Sequence, residues 1–222
     1  MKKINIFNLS MLVLLIAADV WFIIDGTLLS KTIASLIFVL IGFVNLIYLL
    51  KVCKVKKISS YIMFLGLCFA CLGDVFLEIN FIIGAILFAI GHVFYFVSYC
   101  FIIKFSLKDL LYGTIILIPS LCIILFVPIF NFGDVIMQTL CCAYACVISL
   151  MVGKAVANVV KQKIVLNWII LLGSVLFFFS DFMLLFNVFA DVNSVFGMLC
   201  LATYYPAEFL LAYSILKHQN KY

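Results

Sequence analysis

Eight apolar runs, each long enough to cross a bilayer and most divided by short lysine-bearing connections, leave this 222-residue chain few folds to choose from. They cover residues 5–24, 29–50, 58–77, 82–103, 110–130, 135–152, 166–188 and 195–216. Each is close to the roughly 20 residues a helix needs to cross about 30 Å of hydrocarbon. Hydrophobic side chains make up 68% of the chain and charged ones 10%, so there is too little polar surface to cover a soluble domain. The expectation is an all-α polytopic membrane protein of eight transmembrane helices. The short connections, without linker-like composition, imply one integral membrane domain over residues 1–222.

The net charge of +5 comes entirely from lysine, and the lysines fall between spans rather than on a continuous basic face. That distribution argues for membrane topology and against nucleic acid. With a cytoplasmic N-terminus, thirteen of the fourteen lysines lie on the inner side, including Lys51, Lys54, Lys104, Lys154, Lys161 and Lys221. Only Lys31 is outside, whereas the outer connections carry Asp25, Asp134 and Asp191. Both termini are therefore expected in the cytoplasm and the protein in the cell membrane. The first run is as long as a full span and no polar mature domain follows it, so it reads as a helix rather than a cleaved signal. The nine cysteines lie in or beside apolar runs, Cys68-x-x-Cys71 included, and behave there as small hydrophobes.

Charge inside a span costs about 2.5–3.5 kcal/mol on insertion scales, so such residues turn toward the bundle interior or water. Asp19, Asp74, Glu78, His92, Asp181 and Glu208 are the cases here. Two of them repeat. Gly73-Asp74 and Ser180-Asp181 each place a small residue before the Asp, a leucine three residues after it and an asparagine six after it, 107 positions apart. A shift of four spans preserves orientation, so a parallel four-plus-four repeat is possible, with both aspartates ~9 Å below the asparagine that ends each copy. Asp19 lies a similar ~9 Å below Asp25. Glu78, at a helix end, reads better as a solvated loop carboxylate. His92 opens a polar stripe with Tyr95 and Tyr99, and Tyr204 matches its depth. A zinc site is disfavoured because the only other histidine is His218. Serine hydrolysis is disfavoured because no G-x-S-x-G elbow occurs. The residues alone leave two classes open, a carboxyl-dependent hydrolase and a transporter or lipid-binding protein that relays protons through Asp74 and Asp181.

Four segments in order, Gly73-Asp74-Val75-Phe76-Leu77, Gly91-His92-Val93-Phe94-Tyr95, Ser180-Asp181 and Thr203-Tyr204-Tyr205-Pro206-Ala207-Glu208, resemble the signature stretches of the YhhN-like membrane proteins, whose eukaryotic members are lysoplasmalogenases. Thr32 follows Lys31 where that family usually has proline, and Glu208 stands where it commonly has glutamine. The resemblance implies eight helices and hydrolysis of the 1-alkenyl ether of a lysophospholipid, drawn from the surrounding membrane lipid, to a fatty aldehyde and a glycerophospho-base, without metal or other cofactor. It implies Asp74, Asp181 and His92 as catalytic residues and Tyr204 as an active-site partner, with Lys31 meeting the lipid phosphate at the outer mouth. Tyr95, Tyr205, Glu208 and Asp19 complete the set expected around the substrate. Vinyl ether hydrolysis starts with a proton delivered to carbon, so an aspartate pair sharing a proton would supply both acid and base.

Overall fold

The computed structural model describes residues 2–54 and 56–218, and Lys221, counted above among the inner lysines, lies outside them. The described chain is all helical apart from one isolated bridge, with eight helices long and apolar enough to cross a membrane. They are α1 (Lys2–Asp25), α2 (Leu28–Lys51), α3 (Ile58–Ile79), α4 (Phe81–Ile102), α5 (Leu107–Phe126), α6 (Val135–Lys161), α7 (Val165–Phe189) and α8 (Val195–Lys217). A helix satisfies its backbone polar groups internally, and hydrocarbon offers no other partner for them, which is why apolar runs of this length take this form. Their ends are marked by polar caps. Thr27, Asn80 and Asp134 accept hydrogen bonds from the backbone N–H groups of Ser30, Ile83 and Met137.

Most helix ends fall within a few residues of those read off hydropathy, and the informative departures are in α5, α6 and α3. The run over 110–130 stops being helical at Phe126. Pro128 disfavours a helical conformation for Val127, which is extended, and the chain runs on to Phe130, bridged antiparallel to Ala190. Helix α6 continues to Lys161 rather than ending at residue 152. Lys154, counted among the loop lysines, is 1% exposed inside it. Its ammonium donates to Asp109 of α5 at 2.7 Å, and Lys161, 31% exposed, binds the second oxygen of the same carboxylate, so the buried Lys154 charge is paired within the bundle. Glu78 lies in the last turn of α3 rather than in a loop; its side chain is 40% exposed, as a solvated carboxylate would be, and pairs with Lys31 at 2.7 Å.

Helices in lipid gain little from burying apolar surface against one another, so their association depends on close packing and polar ties. Consecutive helices form the tightest hairpins, α3 with α4, α5 with α6 and α7 with α8. A Cβ on Gly84 would come within 2.5 Å of the Leu77 backbone, and one on Gly153 within 2.5 Å of Gly113 Cα, so glycine sets the approach of α3–α4 and α5–α6. Between hairpins, α8 packs on α2, α1 and α3, while α4 packs on α6. Asn8 and Asn45 exchange two amide hydrogen bonds of 2.9 Å, and Asn45 also donates to the Ala212 carbonyl, tying α1, α2 and α8 together. The buried core runs through every helix but α5, with Leu15 and Ala18 from α1, whereas α5 packs on α6 alone and is the least buried helix.

Candidate active site

The polar side chains inside the bundle form several distinct groups rather than one. Asp74, 2% exposed on α3, accepts hydrogen bonds on Oδ2 from Ser35 Oγ of α2 at 2.5 Å and Tyr204 OH of α8 at 2.7 Å. Asp181 on α7 accepts on Oδ2 from Tyr144 OH of α6 at 2.6 Å, with His92 Nε2 of α4 at 3.3 Å. His92 Nε2 is also 2.8 Å from Tyr144 OH. The tyrosine hydroxyl has one hydrogen and gives it to Asp181, so it accepts from an Nε2–H of His92. His92 Nδ1 is buried with no hydrogen-bond partner among the described residues.

The expected aspartate dyad is not formed. Helices α3 and α7 do not pack on one another, and among the described residues no hydrogen bond joins Asp74 to Asp181. Equal depth along two helices leaves their lateral separation open, and here α4 and α8 stand between them. The gap is filled by rings. Phe177 meets His92 edge-on at 4.6 Å and Tyr204 at 5.2 Å, and Phe88 meets Tyr204 at 5.9 Å. Such contacts are worth about 0.5–1.5 kcal/mol beyond burial and hold the rings in fixed orientation.

Glu208, fully buried on α8, accepts a 2.8 Å bond from Tyr95 OH and has a second oxygen without a partner. Tyr99, the third member of the α4 stripe, is within 2.9 Å of Ser174 Oγ. Asp19 and Tyr205 are buried, and one Asp19 oxygen has no hydrogen-bond partner among the described residues. Lys31 does not stand at an open mouth. It is 6% exposed, its ammonium engages Glu78, and it lies 5.4 Å from the centre of the Phe22 ring. A phosphate would have to displace Glu78 to reach it.

One of the two aspartates borders open space. A cavity of about 90 Å³ is walled by α4, α5, α6 and α7 with Leu77 of α3. Its lining is apolar except for Asp181, Tyr144, Ser120 and Cys141. Phe88 also lines it, so the ring cluster behind Asp181 forms part of the wall. Because Oδ2 takes both protein contacts, the other Asp181 oxygen is left without a protein donor among the described residues. An acid with one oxygen fixed and one available, set in an apolar chamber, can exchange a proton with a bound apolar molecule. Tyr144 and Ser35 were not anticipated from sequence. Each is an ordinary hydroxyl in an apolar run, and their significance lies only in donating to the aspartate of the next helix, 37 and 39 positions on.

The fold and this site define an integral membrane protein of eight helices with a carboxyl centre beside an apolar cavity. The chain belongs to the YhhN family, whose sequence profile matches residues 26–215, from the α1–α2 turn almost to the end of α8. No curated protein and no solved structure matches it.

Proposed function

We propose that this protein is a lysoplasmalogenase-type hydrolase of the cell membrane, cleaving the vinyl ether of a 1-alkenyl lysolipid by carboxyl acid–base catalysis. The observation that carries the reading is the cavity, whose single ionisable carboxyl, Asp181, is gripped by Tyr144 and His92 in an otherwise apolar wall. An alkenyl chain supplies the complementary shape, and family membership supports the reaction class.

In this mechanism protonated Asp181 delivers its proton to the second carbon of the alkenyl chain. An oxocarbenium ion forms at the first carbon opposite the new carboxylate, whose charge Tyr144 and His92 stabilise through Oδ2. Water adds to the first carbon and returns a proton to Asp181. The hemiacetal then collapses as the ether oxygen takes that proton and the hemiacetal hydroxyl gives its own to the Asp181 carboxylate, releasing aldehyde and glycerol-side alcohol. One water is consumed and the acid is regenerated.

Asp74 acts at one remove, orienting Tyr204, whose ring packs on Phe88 and Phe177 behind the cavity. Tyr95 and Glu208 form a further layer beneath His92. Helix α5, held only by α6, is the wall past which a lipid enters from the bilayer.

The lysine distribution supports cytoplasmic termini. Packing supports the parallel repeat. Pairs α1–α2, α2–α3, α3–α4 and α2–α8 recur under a shift of four helices as α5–α6, α6–α7, α7–α8 and α6–α4. Under the same shift Ser35 corresponds to Tyr144 and Tyr204 to His92 as partners of the two aspartates.

The test is aldehyde release from lysoplasmenylethanolamine by purified protein in detergent. Turnover by the parent and loss of at least a hundredfold in Asp181→Asn are expected. Turnover unchanged in Asp181→Asn would reject the mechanism.

A further inference from the structure

Resting on that reading of the cavity, we propose that the site recognises the ether chain and glycerol without the phosphate, so that a headgroup-free 1-alkenylglycerol is hydrolysed as readily as a lysophospholipid. The reaction is alkenylglycerol plus water to fatty aldehyde plus glycerol, by the same protonation at carbon and the same break between the first carbon and the ether oxygen. No redox partner enters.

The charge map carries this. Among the described residues lining the cavity the only ionisable carboxyl or amine is Asp181, and no lysine or arginine is present. Three glycerol carbons separate the ether oxygen from the phosphate oxygen of a lysophospholipid, so with the vinyl ether at Asp181 the phosphate sits a few ångströms away. The residues that line that distance toward the outer ends of α3, α4 and α7 are Leu77, Phe81, Leu184, Leu185 and Phe189. None of these side chains donates a hydrogen bond to an anion.

The one lysine near this end of the bundle is committed elsewhere. Lys31 belongs to α2, which contributes no residue to the cavity wall, and its ammonium is 2.7 Å from Glu78. Phosphate-binding sites present arginine, lysine or clustered backbone N–H groups toward the anion, whereas the side chains of this wall are aromatic and aliphatic and the α4 N-terminus at Phe81 is capped by Asn80. What it does present suits neutral hydroxyls, since Ser120 and Tyr144, whose own hydrogens go to the Ile116 carbonyl and Asp181, can each still accept from one.

The experiment compares 1-alkenylglycerol with lysoplasmenylethanolamine of the same chain, using the full chain in nanodiscs and measuring kcat/KM for aldehyde release. The expected ratio is within about threefold of unity, unchanged by Glu78→Gln, which loosens the hold on Lys31. A preference above tenfold for the phosphate-bearing lipid overturns the proposal. A second readout does not need turnover. A diazirine-bearing 1-alkylglycerol is photo-crosslinked and mapped, with labelling expected on the α6 and α7 segments around Tyr144 and Asp181. Unlabelled 1-alkylglycerol and 1-alkyl lysophosphatidylethanolamine are expected to compete at similar concentrations. Equal competition without aldehyde from either lipid would overturn the hydrolase reading while supporting headgroup-free binding. Competition by the phosphate-bearing lipid alone, or absence of labelling there, would overturn the inference itself.

Discussion

Replacing Tyr144 with phenylalanine removes one oxygen and tests the centre with little disturbance of packing. The hydroxyl donates to Asp181 at 2.6 Å and lies 2.8 Å from His92 Nε2, while the ring stacks edge-on against His92 at 5.4 Å and survives the substitution. A hydrogen bond to a charged group contributes about 1.5–3 kcal/mol. The bond strengthens as Asp181 gives up its proton and becomes a carboxylate, so its loss falls on the transition state and not on ground-state binding. At about 1.4 kcal/mol per decade, kcat should fall roughly 10- to 150-fold with KM nearly unchanged. Aldehyde release in detergent, read by a coupled dehydrogenase, gives both constants, and the thermal transition shows whether the fold is intact. A folded Tyr144→Phe protein within twofold of the parent kcat would refute the assignment of Tyr144 and weaken that of Asp181.

Asp74→Asn should lower kcat by about tenfold, since it weakens only the hold on Tyr204 and Ser35; a loss equal to that of Asp181→Asn, in the same assay, would put Asp74 in direct contact with substrate. Asp109→Ala leaves the Lys154 ammonium buried without its carboxylate and should destabilise the protein by about 3–5 kcal/mol, seen as a lower denaturation midpoint; an unchanged midpoint would show that the α5–α6 ion cluster is dispensable. Burial pushes the His218 imidazole down to about 4, with the Lys57 ammonium acting in the same direction. Its neutral form therefore contributes stability that is complete above the unfolded value near 6.5 and is lost as pH falls toward 4. His218→Gln should flatten the decline in thermal stability over that window, and an identical decline in both proteins would contradict the assignment.

Much of the architecture was legible because a bilayer permits so few alternatives. Eight apolar runs became eight helices, and the errors lie where a charge or a proline was read by habit. Lys154 looked like a loop lysine until α5 supplied Asp109 to meet it. The run through Pro128 looked continuous because hydropathy does not register a missing N–H. At the site, Asp181 and His92 were visible as costly polar groups in apolar surroundings, and the structure brings them together. The direct pairing of Asp74 with Asp181 was not legible. Depth follows from counting residues along a helix, whereas lateral position depends on which helices pack, and rings on α4, α7 and α8 occupy the space between the two acids. Tyr144 was invisible for a related reason, since its importance comes from a partner 37 residues away and not from any local pattern.

The most direct test of carboxyl catalysis at Asp181 is the isotopic content of the aldehyde formed from a lysoplasmenyl lipid in D₂O, trapped at once by reduction. Proton delivery to carbon predicts one deuterium on the carbon next to the carbonyl carbon in every product molecule, formed by the parent protein and not by Asp181→Asn. Aldehyde without that deuterium, or no aldehyde at all, would contradict the account.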